Sequence, residues 1–210
     1  TPNRSAVVLV DPGGNRTVCW YRSDNLRLAP RDISPRLLEA RIVHVDDDDA
    51  DLALGVAQMA RDAGVPVTSD IEHAAESVTR LVSTVTYPIR DHSLPGQLTG
   101  EAAPERALRK LRRLNPGVLC MTLGERGAAA LEGDRFHHVP AIAVPVVDNT
   151  GAGDVFRAGF VYGLVQNWRV PDILRFANAA AAVSCTRLGA MPSVPTLAEV
   201  QALQSSVDSR

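Results

Sequence analysis

Short apolar, β-branched runs recur along the chain and are separated by stretches of helical spacing. The runs AVVLV (6–10), RTVCWY (16–21), RIVHV (41–45), VPVTSDI (65–71), TVTYPI (84–89) and GVLCMTL (117–123) read as strands. Between them, DADLALGVAQMARDAG (49–64) and APERALRKLRRL (103–114) carry apolar residues at helical spacing, and the first stops at Gly64. This alternation predicts a three-layer αβα fold, a mostly parallel sheet with helices on both faces. The first two runs differ, because the turn-rich DPGGN (11–15) joins them and predicts an antiparallel hairpin at one edge. From residue 153 the pattern turns helical: 153–168, 170–189 and 196–206 follow as three successive helices. No internal repeat or linker interrupts the chain, so residues 1–210 are expected to form one domain.

Composition narrows the function. At 210 residues and 45% hydrophobic content the chain is long enough for a sizeable core. A formal charge of −2, without a basic patch, argues against nucleic acid or an anionic membrane as partner and leaves small molecules. Cys19, Cys120 and Cys185 are odd in number and widely spaced, which predicts buried thiols in a reducing, cytoplasmic setting rather than a disulfide framework or zinc site. No apolar run is long enough to span a bilayer, and no basic-then-apolar leader is present. The chain opens on Thr1 rather than Met, which leads us to expect that this is not the native start. The acidic run DDDDAD (46–51) sits between a strand and a helix, where the helix dipole and capping favour acids. His137 and His138 are adjacent and would face opposite sides of a strand, which argues against a shared metal.

The chemistry concentrates in VDNTGAGDVFRAG (147–159). Gly151, Ala152 and Gly153 precede Asp154 at a predicted helix start, where unpaired N–H groups and the dipole favour an anion. Small side chains let a phosphate approach those amides, and a carboxylate beside it can accept the proton of an attacking hydroxyl. A P-loop is excluded because Asp154 stands where its Lys is required, and a dinucleotide fingerprint because Phe156 holds a position that must be small. The alternative is a turn with an Asp-capped helix and no ligand.

The stretch DNTGAGDVFRAGF resembles the C-terminal signature of the ribokinase-like carbohydrate kinases, the PfkB family. MTLGERGA (121–128), FANAAAAVSCTRLGAMPSVPT (176–196), and SDIE (69–72) followed by LTG (98–100) resemble the same family in the same order. The resemblance implies a ribokinase-like fold that transfers the γ-phosphoryl of ATP to a sugar hydroxyl. It makes Asp154 the general base and Gly151, Ala152 and Gly153 the anion hole. Thr122, Gly124 and Gly127 would line the nucleotide, and Asn178 would border adenine or ribose. An Asn among alanines equally suits a buried residue bonding nearby backbone. Asp148, Thr150, Ser184, Arg187, Gly189 and Ser193 match loops that wrap a monovalent cation, usually potassium, with only the backbone carbonyl of Arg187 suited to the task.

Two departures from the family pattern stand out. Where members often carry Asn-x-x-Glu to help place magnesium, this chain reads Asp91, His92, Ser93, Leu94, so magnesium would lean on the nucleotide phosphates, Asp91 or water. The family's N-terminal substrate and lid segment has no counterpart here, and the GGN at 13–15 reads as turn chemistry. The chain is therefore expected to match the last two-thirds of such a kinase, to expose a sheet edge, and to self-associate as a homo-oligomer. A nucleoside or vitamin-precursor alcohol as acceptor, or a nucleotide-binding module inactive alone, are the competing readings.

Overall fold

The computed structural model describes residues 5–10, 16–21, 23, 25, 28–71, 76–91 and 93–208. They fall into two compact units, residues 1–34 and 35–210. In the first, β1 (Ser5–Val10) and β2 (Arg16–Tyr21) pair antiparallel, with Val7 opposite Cys19 and Leu9 opposite Thr17. This is the expected pairing, made as a two-stranded sheet of its own. Its DPGGN connection, including the GGN, lies outside the described residues. A two-stranded ribbon has no interior, and Val7, Leu9, Cys19, Trp20 and Tyr21 are all exposed. The expectation of buried thiols thus fails at Cys19, while Cys120 is buried and Cys185 half-buried.

The second unit holds a six-stranded sheet ordered β3 (Val43–Asp46), β4 (Val67–Ile71), β5 (Tyr87–Asp91), β6 (Leu119–Thr122), β7 (Ala128–Glu132) and β8 (Arg135–Val139). The first four strands run parallel, and β7 and β8 add an antiparallel edge. Helices α1 (Ala50–Asp62), α2 (Glu76–Thr84), α3 (Ser93–Thr99) and α4 (Pro104–Leu111) connect the parallel strands. Three more, α5 (Ala152–Val165), α6 (Val170–Ser184) and α7 (Leu197–Asp208), follow the sheet.

Alternation along β6 and β7 shows the layering, because successive strand residues face opposite ways. Cys120, Ala128 and Ala130 meet Phe156 and Phe160 of α5 and Ile173 and Ala177 of α6. Leu119, Met121, Ala129 and Leu131 meet Ala107, Leu108 and Leu111 of α4. Each large side chain buried this way contributes about 1.5–3 kcal/mol. The acidic run ends in capping as expected: Asp49 accepts the Leu52 N–H at 3.2 Å, and Asp46 the Asp48 N–H at 3.1 Å. His137 and His138 diverge, one toward Glu132 at 3.2 Å and the other toward the Arg126 carbonyl at 2.9 Å. Among the described residues no helix is long and apolar enough to cross a membrane.

Asn115 is 2% exposed and fastens α2 to the chain entering β6. Its amide donates to the Val82 and Val85 carbonyls at 2.6 and 2.7 Å, and its carbonyl accepts the Gly117 N–H at 2.6 Å. Asn115→Ala leaves those backbone groups unpaired in the interior, and is expected to cost roughly 2–4 kcal/mol in urea denaturation.

Candidate active site

The segment from Val147 to Asp154 is shaped by one carboxylate. Asp148 Oδ1 accepts the Thr150 N–H at 2.9 Å and its hydroxyl at 2.7 Å, while Oδ2 accepts the Gly189 N–H at 2.9 Å. The Val147 N–H donates to the Cys185 carbonyl at 2.8 Å, so residues 147–150 lie against the loop that leaves α6. Gly151 then caps α5 in the left-handed region, φ 79° and ψ 1°. Only glycine adopts this without strain, and a Cβ there would also lie 3.0 Å from the Ala190 Cβ. The Ala152 N–H closes onto the Asn149 carbonyl at 3.2 Å and the Val155 N–H onto Gly151 at 2.9 Å. Gly153 and Asp154 occupy the first turn between them, where N–H groups have no carbonyl behind them in the helix.

Asp154 projects from that turn with its side chain 76% exposed, and Arg157 Nη1 lies 3.4 Å from its Oδ1. Arg157 is in turn ion-paired with Asp70 of β4. Nearby, His44 Nδ1 is 2.9 Å from the Thr68 hydroxyl. Burial, and secondarily the Arg157 charge, holds His44 below its ordinary value against the opposing pull of Asp46 and Asp154. Asp70 belongs to the SDIE segment, whose Glu72 lies outside the described residues. The roles of Arg157 and His44 escaped the sequence reading. The spacing of Asp154 and Arg157, three apart on one helix, was the available signal.

The nucleotide-lining candidates gather around the exit of β8. Thr122 ends β6, with its hydroxyl 3.5 Å from the Arg90 carbonyl. Gly124 and Gly127 flank a 3₁₀ turn at φ 60° and 90°. Asn178, in α6, donates its amide to the Val139 and Pro140 carbonyls at 2.9 and 3.1 Å. Asn178 is 7% exposed, and its two bonds hold segment 139–140 beside Gly127.

Of the cation-loop candidates, Thr150 and Gly189 bond the Asp148 carboxylate. Ser184 Oγ donates to the Ala181 carbonyl at 2.8 Å and Ser193 Oγ to the Ala190 carbonyl at 3.1 Å. Arg187 points its guanidinium at Glu199. Asp91 ends β5 and Ser93 and Leu94 open α3, with His92 outside the described residues. Among the described residues no three His, Cys, Asp or Glu side chains converge on a metal position.

Glu199 also accepts the Thr196 N–H at 2.7 Å and hydroxyl at 2.9 Å, a capping box at the start of α7. These bonds, the Thr196 N–H first and then its hydroxyl and Arg187, hold the Glu199 carboxyl down to about 2. A depressed carboxylate stabilises the fold above its unfolded value and loses that contribution as pH falls through the folded one. Melting curves of wild type and Glu199→Gln are expected to differ above pH 5, with wild type the more stable, and to converge as pH falls from 4.5 toward 2.

Known proteins share this sequence pattern and fold. The family described as pfkB family carbohydrate kinase matches residues 1–197. The chain is 27% identical over 197 residues to ribokinase of Lactococcus lactis subsp. lactis, covering 93% of this chain and 62% of that protein. It therefore spans less than two thirds of that relative's length. It superposes on ribokinase from Thermotoga maritima with a TM-score of 0.81 at 25% identity, over 97% of this chain and 70% of the other. On Arabidopsis thaliana ribokinase complexed with ribose and ATP the TM-score is 0.83 at 28% identity, over 97% and 69%.

Proposed function

Because the chain belongs to the pfkB family of carbohydrate kinases, we propose that the start of α5 serves transfer of the γ-phosphoryl group of ATP to a sugar hydroxyl. The observation that supports this reading is the left-handed Gly151 cap, which sets the Gly153 and Asp154 amides beside the exposed Asp154 carboxylate, while the Ala152 N–H closes onto Asn149. Those amides, with the positive end of the α5 dipole, hold an anion and stabilise charge on the transferred group. Asp154 accepts the proton of the acceptor hydroxyl. Phosphoryl transfer depends mainly on positioning and charge stabilisation, so one ordinary carboxylate with aligned donors suffices.

Thr122, Gly124, Gly127 and the strap held by Asn178 border the nucleotide. The carbonyls and hydroxyls of Asp148, Thr150, Ser184, Arg187, Gly189 and Ser193 offer the hard oxygens that a potassium ion takes. Magnesium, when bound with the nucleotide, would lean on the phosphates, on Asp91 or on water. ATP, when bound, supplies the phosphoryl group.

The test is ADP release from Mg·ATP across a panel of pentoses, hexoses and nucleosides, in potassium and in sodium, with Asp154→Asn as control. Turnover on a sugar that is lost in the control is the expected result. Turnover on a nucleoside alone would overturn the sugar assignment. Silence throughout would overturn the reading for this chain acting by itself.

A further inference from the structure

Arg157 is a buried cation set between two carboxylates of the site, Asp70 and Asp154. Its side chain is 8% exposed, its Nη2 side pairs with Asp70 from β4, and Nη1 lies 3.4 Å from Asp154. Asp70 and Asp154 come from different elements, so the guanidinium bridges the sheet to the first turn of α5. A Cβ on Gly153 would sit 3.0 Å from Arg157 Nη1 and 3.8 Å from Cζ. Glycine at 153 therefore makes room for this guanidinium, in addition to any room it makes for a phosphate.

A carboxylate as exposed as Asp154 turns about its side-chain bonds unless something fixes it. Resting on the proposed kinase reading, we propose that Arg157, anchored by Asp70, is a positioning residue that aims the Asp154 carboxylate at the acceptor hydroxyl. The bridge uses separate nitrogens for the two carboxylates, which the fork of a guanidinium allows and a single ammonium does not.

Arg157→Met alone leaves Asp70 buried against a lost partner and endangers the fold. The Asp70→Asn/Arg157→Met pair removes both charges and keeps the test meaningful. In both, kcat is expected to fall about 100-fold with KM for ATP changed less than about threefold, since a misplaced group costs turnover rather than nucleotide binding. Arg157→Lys is expected to recover roughly tenfold of that loss by keeping one contact. If the double variant regains both stability and turnover, the arginine is only structural and the proposal fails.

A wild type silent on every acceptor would instead count against the kinase reading, and the ¹⁵N guanidinium resonances of Arg157 would then decide. Asp154→Asn is expected to shift them, and unmoved resonances would overturn the proposal.

Discussion

Asp154→Asn is expected to lower turnover by about 10²–10⁴-fold, the range in which positioned general bases contribute. The amide keeps the shape of the carboxylate and sits on an exposed face of the first turn, so the fold is expected to hold. What it removes is the capacity to take a proton and the charge that faces Arg157 3.4 Å away. The N–H groups of the first turn remain in place, because Gly151 and the Asn149 turn set them. Nucleotide affinity, read by calorimetry with a non-hydrolysable ATP analogue, should therefore stay within about threefold of wild type, the signature of an interaction made only in the transition state. If Asp154→Asn kept more than about a tenth of wild-type turnover, far less than a general base contributes would have been lost. His44, whose Nδ1 lies 2.9 Å from the Thr68 hydroxyl, would then be the next group to replace.

The helix start at Gly151 was legible because its causes are local. A residue that must hold φ 79° is glycine in the sequence, and an acid in the following turn follows from the dipole. Strand β3 was legible as well, since Val43 and Val45 are buried while His44 and Asp46 face out. Strand β7 was not among the predicted runs, because Ala128, Ala129 and Ala130 have low strand propensity. They form a strand because α4 and the α5–α6 pair press on its two faces and leave no room for larger side chains. The TVTYPI run was placed two or three residues early. Val85 gives its N–H to Leu81 at 3.1 Å and closes α2, so β5 starts only at Tyr87. The Asp70–Arg157 bridge was hidden for a different reason, as nothing in either local segment shows that β4 and α5 meet. Asn178 admitted two roles from sequence, and the segment its amide bonds, Val139–Pro140, lies far away along the chain.

Gly127→Ala should be the most destabilising single change in the β6–β7 turn, costing on the order of 3 kcal/mol or more. The residue sits at φ 90° and ψ −128°, a region essentially confined to glycine. An added Cβ would also drive into the backbone of Val139, Pro140 and Ala141. That backbone has little freedom to retreat. Val139 pairs with Ala128 across the β7–β8 ladder, and the Asn178 amide grips the Val139 and Pro140 carbonyls from α6. Relief would break a strand pairing or two hydrogen bonds made by a buried side chain, and either replaces one penalty with another. Gly124 is the internal control, at φ 60° with nothing within 4 Å of the position a Cβ would take. Gly124→Ala carries only the left-handed backbone cost, about 1–2 kcal/mol. Urea denaturation of the two variants sets the left-handed cost alone at 124 against the glycine-only backbone region together with the overlap at 127. A markedly larger loss at 127 shows that segment 139–141 is a rigid wall behind that turn. Equal losses would show that the wall yields, and Asn178, which braces it, would then be free to serve the nucleotide directly.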